Sequence, residues 1–355
     1  MLPEKRAGDL SDGKPNGMCW CYYSDLMLTP SQRLIVEPDD GLTPVVEFIQ
    51  SAQTSLLIKQ FALTEESIIN AIIDRQNAGV DVRVMLNPAR SGGDRANDES
   101  YETFEKAGVK VQWSNPNFYV THEKSIVVDG KTALVATFNL HPKYFTLTRD
   151  YGIIVDNPHQ VAQITEVFDA DWDHREWTCS TYEGLLWSNS NSRYHMAEFI
   201  DTAKVCLDIQ HPKYVDAVIL DHIAAAADRG VKVHVLCGGR HGISEWDILD
   251  TFASLRTLRR FGVKVHKQKN LRVHAKLLIA DGMHALVGSM NIDRSAFDMR
   301  RELGVTVTAH DVVARLKQVF DSDWELSHHY DPPDPLRSSE HVEDDFPHDE
   351  DLVHE

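Results

Sequence analysis

Two homologous α/β/α lobes related by a pseudo-two-fold axis form the α/β fold that this 355-residue sequence predicts. Three observations predict it. The first is an internal repeat. THEKSIVVDGKTALVATFNL (121–140) aligns with VHAKLLIADGMHALVGSMNI (273–292) at an offset of 152 residues, and the register runs on without a gap through Gly152 and Gly304 to VFDADW (167–172) and VFDSDW (319–324). The second is an alternation of strand-like and helix-like segments within each copy. The third is bulk: 42% hydrophobic and 25% charged residues are ordinary for a globular protein long enough to bury a large core.

In the first copy SLLIKQ reads as a buried strand, EESIINAIIDRQNAG as a helix ending at glycine, and VDVRVML as a second strand. A helix near 100–107 follows, then strands near 109–113, 124–128, 132–136 and 151–155, and a closing helix from Pro158 to Trp172. The second copy repeats this order from about Val205 to Trp324. Upstream the match is looser, AGVDVRVML (78–86) with RGVKVHVLC (229–237) and KAGVKV (106–111) with RFGVKV (260–265). The expected divisions are an N-terminal extension (1–30), a first lobe (31–180), a second lobe (181–330) and a disordered acidic tail (331–355). Two lobes packed about such an axis set equivalent residues opposite one another, as in an isologous dimer.

No run approaches the roughly 18 consecutive apolar residues of a membrane span, and residues 1–17 lack the apolar core of a secretory signal, so a cytoplasmic protein is expected. Five scattered cysteines fit a reducing compartment. Cys19 and Cys21 lack a partner pair at zinc-finger spacing. The formal charge is −18, of which the last 25 residues, with ten acidic groups and one arginine, carry −9. An acidic body argues against duplex nucleic acid as partner, whose binders show a basic field.

Each repeat carries the same polar set: His122, Lys124, Asp129 and Asn139 in the first, His274, Lys276, Asp281 and Asn291 in the second. These residue types suit attack on a phosphodiester. Its negative charge repels nucleophiles, and two lysines with two amides can neutralise the nonbridging oxygens as charge builds. A neutral imidazole is a good nucleophile near neutral pH, and a second, protonated imidazole can donate to the leaving oxygen. A carboxylate on each ring's other nitrogen would fix its tautomer. Lysines where a metal site would have cysteine or carboxylate ligands argue against metal binding, and no cofactor is called for. Asp129-Gly130 and Asp281-Gly282 read as strand-joining turns with a structural role.

The pattern His-x-Lys-x4-Asp-x6-Gly-Ser-x-Asn resembles the signature of the phospholipase D superfamily. The second copy matches it completely through Gly288-Ser289-Met290-Asn291, whereas the first reads Ala136-Thr137-Phe138-Asn139 and keeps the hydroxyl as Thr137. The family's acidic residue eleven positions after the asparagine is present twice, as Asp150 and Glu302. The resemblance spans about 31–325 and implies a phospholipase D-like fold with one site at the lobe interface. It also implies a phosphohistidine intermediate, with His122 as nucleophile, His274 as general acid/base, and Asp150 and Glu302 orienting the rings. Thr137, Ser289, Gln60 and Gln210 are the candidate substrate-binding residues, the glutamines because they end equivalent strands. Arg90, Arg95 and Arg240, in loops after matching strands, are candidates for substrate selection.

The expected substrate is a phosphodiester, with a glycerophospholipid favoured and peripheral membrane contact and a monomer envisaged. Phe118-Tyr119 and Tyr144-Phe145 are placed to meet acyl chains. One alternative is a nuclease or nucleic-acid end-processing enzyme with the same centre, kept open by Arg256–Lys269. Another is a non-catalytic scaffold derived from the enzyme. Complete retention of both His-Lys-Asn sets argues against the latter.

Overall fold

A computed structural model of the chain describes residues 31–89, 93–240, 243 and 245–334. The expectations for the N-terminal extension, Cys19, Cys21, Arg90 and the tail beyond Asp334 lie outside the described residues.

The first lobe consists of β1 (Gln32–Glu37), α1 (Thr43–Gln50), β2 (Ser55–Gln60), α2 (Glu66–Asn77), β3 (Asp81–Leu86), α3 (Asp98–Lys106), β4 (Lys110–Trp113), β5 (Ser125–Val128), β6 (Thr132–Ala136), a 3-10 turn (Pro142–Phe145), β7 (Thr148–Val155) and α4 (Pro158–Trp172). The second consists of β8 (Leu185–Trp187), α5 (Ser192–Thr202), β9 (Cys206–Gln210), α6 (Ala217–Asp228), β10 (Lys232–Cys237), α7 (Glu245–Arg260), β11 (Lys264–Lys267), β12 (Arg272–Val273), β13 (Leu277–Ala280), β14 (His284–Gly288), α8 (Arg294–Asp298), β15 (Leu303–Val307), α9 (His310–Leu326) and β16 (His328–His329).

One sheet runs β1-β7-β6-β5-β2-β3-β4, with β12 joined to β7, and the other β16-β11-β10-β9-β13-β14-β15-β8. In both, three parallel strands continue into an antiparallel set. Helix ends follow local chemistry. Glu65 and Asp216 cap the N-termini of α2 and α6 through Ser67 and Ile219 N–H, and Asn157 with Pro158 starts α4.

Both faces of each sheet are buried, which explains the nearly continuous apolar strands. Along β2, Leu56 and Ile58 pack outward beneath the α1–α3 layer, while Leu57 turns inward. The inward side chains of both sheets merge with α4 and α9 into one core that includes Val127, Val135, Tyr151, Val287, Val305, Phe168 and Phe320. The lobes are therefore welded by a shared hydrophobic interior.

Asp-Gly closes each β-hairpin as expected, with φ of 55° and 61° at Asp129-Gly130 and 54° and 66° at Asp281-Gly282, the left-handed pair of a type I′ turn. Asp129 accepts the N–H groups of Gln53, Thr54 and Ser55, and Asp281 those of Lys204, Val205 and Cys206. Burial pushes the Asp129 carboxyl up, but the donors from Ser55, Thr54 and Gln53 outweigh it and hold the group below its ordinary value of 3.8. Asp129→Asn is expected to lower stability by about 1–3 kcal/mol at neutral pH. A depressed carboxyl stabilises above its unfolded value and loses that contribution as pH falls. The deficit should therefore shrink below pH 3.8, as urea unfolding at several pH values would measure.

Packing requires the motif glycine of the second lobe. A Cβ at Gly288 would lie 2.5 Å from the Gly304 Cα and 2.7 Å from the Leu303 carbonyl oxygen. At the equivalent place Ala136 stands opposite Gly152 and is tolerated, being 2% exposed. Gly288→Ala is expected to destabilise the protein by about 1–3 kcal/mol through overpacking, measured as a lower urea midpoint at unchanged slope.

Candidate active site

Each motif segment reaches its histidine by crossing to the other lobe. Thr121 bridges Arg301, and β12 pairs with Thr148 and Arg149 of β7. The His122 and Glu123 N–H groups both donate to the Arg301 carbonyl, and those of His274 and Ala275 to the Arg149 carbonyl. The residue after each of these arginines is the expected carboxylate. The pairing is consequently crossed: His122 Nδ1 lies 3.0 and 2.9 Å from the Glu302 carboxylate oxygens, and His274 Nδ1 lies 2.6 Å from Asp150 Oδ1. All four side chains are buried.

The surroundings differ between the half-sites. Asp150 accepts the hydroxyls of Thr137 at 2.5 Å and Thr148 at 2.6 Å as well as meeting the His274 ring. Glu302 is pushed up to about 8 by burial, against the pull of Arg300 and Lys124. Glu37 stands opposite Asp150 in the β1–β7 register, fully buried, and is pushed up to about 9 by burial and then by the Asp150 charge. Ser188 stands beside Glu302 at the same step of the second sheet and accepts its backbone N–H.

Lys276 Nζ is 2.9 Å from His274 Nε2, and Lys124 Nζ donates to the His122 carbonyl at 2.7 Å while lying 5.1 Å from the Phe61 ring centre. Phe61 meets the His122 ring edge-on at 4.8 Å, and Tyr144 lies 4.8 Å from the His274 ring. Asn139 and Asn291 follow β6 and β14 and are 1% and 3% exposed.

Three of the four candidate substrate-binding residues have partners within the protein. Thr137 and Ser289 hold the strands that carry the carboxylates: Thr137 Oγ1 accepts from Tyr151 N–H and donates to Asp150, and Ser289 Oγ accepts from Leu303 N–H. Gln210 is engaged by Tyr151, Gln268 and Asp323, so its amide is turned inward. Nor are Gln60 and Gln210 equivalent, because Lys59 faces Ser125 in β5 as Gln210 faces Leu277 in β13. The first lobe thus has an ammonium where the second has an amide, and Gln60 corresponds to His211.

Of the aromatics proposed for acyl chains, Tyr144 and Phe145 are buried, Phe118 lies under the Arg301 guanidinium at 4.1 Å, and Tyr119 alone is open, at 66% exposed. Arg95 is exposed, pairs with Asp98 and covers Trp113. The VFDxDW segments do more than close helices. Asp169 pairs with Arg83, but Asp171 and Asp323 reach the opposite lobe's Arg301 and Arg149. Both of these ion pairs escaped the sequence reading, although each partner recurs at the 152-residue offset.

Both lobes resemble known proteins. A family model described as "Cardiolipin synthase, PLD-like domain" matches twice, at residues 45–172 and 196–324. Cardiolipin synthase 2 of Staphylococcus epidermidis is 23% identical over 352 residues, covering 86% of this chain and 71% of its own. The cardiolipin synthase of Staphylococcus aureus strain Mu50 is 25% identical over 356 residues, covering 86% and 70%. Among solved structures, phosphatidylserine synthase from Haemophilus influenzae aligns with a TM-score of 0.69 at 13% identity, covering 85% of this chain and 88% of that one. Polyphosphate kinase from Porphyromonas gingivalis aligns at 0.66 and 14% identity, covering 83% of this chain and 47% of the kinase. Those two likenesses are of fold. With the family model matched once on each lobe, this chain belongs to the phospholipase D-like family and is an enzyme of that type.

Proposed function

We propose that the protein transfers or hydrolyses the phosphatidyl group of glycerophospholipids through a phosphohistidine, without a metal ion. The observation that carries this reading is the crossed pair of His–carboxylate contacts. A carboxylate accepting the Nδ1 proton leaves the Nε2 lone pair for chemistry, so both rings are oriented as reactive groups rather than as core histidines. We assign His122 as the attacking ring and His274, protonated on Nε2 when substrate is bound, as the proton donor. His122 Nε2 then bonds to phosphorus as the P–O bond to the leaving group breaks. His274 supplies the proton to the leaving oxygen and recovers one from the incoming water or alcohol. Lys124, Lys276, Asn139 and Asn291 neutralise the phosphoryl oxygens.

Lipid is favoured over nucleic acid on two grounds. The family relatives named above are cardiolipin synthases. Tyr119, Leu147 and Met299, each three residues before His122, Asp150 and Glu302, are 66%, 45% and 50% exposed, so the segments that carry the site also present apolar side chains at the surface. A bilayer surface accommodates such residues better than a sugar–phosphate backbone does. Among the described residues no helix is long and apolar enough to cross a membrane.

The deciding experiment offers the enzyme, with EDTA present, phosphatidylglycerol or phosphatidylcholine vesicles plus ethanol in one reaction and single-stranded DNA in another. Phosphatidylethanol or phosphatidic acid is expected from the first. Nicked DNA without lipid turnover would transfer the centre to the nuclease reading. Lipid turnover lost on adding EDTA would remove metal independence.

A further inference from the structure

Arg149 and Arg301 are 6% and 2% exposed and precede Asp150 and Glu302 by one residue. Arg149 grips Asp323 of α9 with two donors, Nε at 2.8 Å and Nη2 at 3.0 Å, and Nη1 reaches the Glu37 carbonyl and Asp39. Arg301 Nη2 reaches Asp171 of α4 at 2.9 Å. Each guanidinium therefore leaves its own lobe for the closing helix of the other. The acceptors are held in turn: Asp171 by Lys59 at 2.7 Å, Asp323 by the Gln210 amide at 2.9 Å.

Three consecutive groups of each strand thus cross the seam: the guanidinium to a helix carboxylate, the arginine carbonyl to two N–H groups of the motif segment, and the next side chain to the histidine. Desolvation offsets most of what a buried ion pair contributes to stability, so apolar residues would fasten two lobes as well. The two-donor fork of Arg149 adds fixed direction, and Arg301 contributes a single charge-assisted bond. Any rotation of this strand that broke the guanidinium contact would also swing the following carboxylate relative to the imidazole.

We propose that Arg149 and Arg301 are positioning residues for the two histidines. By gripping Asp323 and Asp171 of the opposite lobe, they set the direction from which Asp150 and Glu302 meet His274 and His122. The proposal rests on reading the histidine pair as the reaction centre, and it makes a crossed prediction: each arginine governs only one ring.

The test compares Arg149→Met, Arg149→Lys, Asp323→Asn, Arg301→Met, Arg301→Lys and Asp171→Asn with Arg83→Met, which removes an ion pair to Asp169 of the same α4 helix within one lobe. The readouts are the downfield proton resonances of the two imidazole Nδ1–H groups, kcat and KM on an aryl phosphodiester, and the unfolding temperature. Arg149→Met and Asp323→Asn are expected to abolish or shift the His274 resonance, leave that of His122, and lower kcat about 10- to 100-fold with KM changed less than about 3-fold. Lysine at position 149 should restore part of both. Changes at Arg301 and Asp171 should strike the His122 resonance instead, and Arg83→Met should lower only the unfolding temperature.

Should the Met variants fail to fold, the isosteric Asn variants still report. Loss of thermal stability with both resonances and kcat retained would reduce the arginines to fasteners, and equal loss of both resonances would replace individual positioning with general loosening. Either result overturns the proposal. If the wild-type protein turns over no phosphodiester, the functional reading falls, while the resonance pattern still decides this one.

Discussion

His122→Ala is expected to lose about 10⁴-fold or more of kcat on every phosphodiester, whereas the loss in His274→Ala should depend on the leaving group. Nucleophilic attack by His122 Nε2 is needed whatever departs, so removing that ring abolishes the covalent route. His274 supplies a proton to the departing oxygen, worth about 10²–10⁴-fold for an alkoxide such as glycerol or choline. A p-nitrophenolate leaves without protonation. On a p-nitrophenyl diester the His274→Ala enzyme should therefore release one equivalent of nitrophenol in a burst and then stall, because the water or alcohol that must attack the phosphohistidine has no base. Stopped-flow absorbance gives the burst, and mass spectrometry after alkaline quench gives the modified residue. A burst in His122→Ala and none in His274→Ala would exchange the two assignments.

Asp150→Asn is expected to lower kcat by about 10²–10⁴-fold with the fold intact. The asparagine amide would offer an N–H to His274 Nδ1, favouring the tautomer whose Nε2 carries hydrogen and can no longer act as a base. The Thr148 hydroxyl, which donates to Asp150 Oδ2 at 2.6 Å, would still find the amide oxygen, and Thr137 Oγ1, which shares Oδ1 with His274, would turn to accept from the amide N–H, so the side chain keeps its place. Circular dichroism and the urea midpoint should stay close to wild type while turnover collapses. A variant with near-normal kcat would show that the 2.6 Å contact between Asp150 and His274 is not part of catalysis.

The repeat made much of this legible beforehand. His122, Lys124, Asn139 and Asp150 share one register with His274, Lys276, Asn291 and Glu302, so both half-sites could be identified from spacing alone. What spacing does not encode is which lobe supplies which partner. A carboxylate twenty-eight residues downstream of His122 and one in the other copy are equally plausible until the strand crossings are known, and the structure chooses the other copy. Gln60 and Gln210 lie 150 residues apart, whereas the copies run 151 apart at β2 and β9, so Lys59 rather than Gln60 stands at the place of Gln210. The opening elements β1, α1, β8 and α5 went unread, since their sequences have diverged beyond a visible repeat and β8 is only three residues long. Arg149, Arg301, Asp171 and Asp323 were visible as identical positions, but charged residues beside apolar runs look like solvated surface until burial is known.

The exchange of partners across the seam has a consequence for how such a protein can be taken apart. Neither half holds the carboxylate partner of its own motif histidine, so proteolysis between Trp172 and Leu185 would yield fragments that are individually inert however well each folds. Turnover would persist only while the fragments remain docked through their common apolar core, making activity itself a gauge of their reassociation.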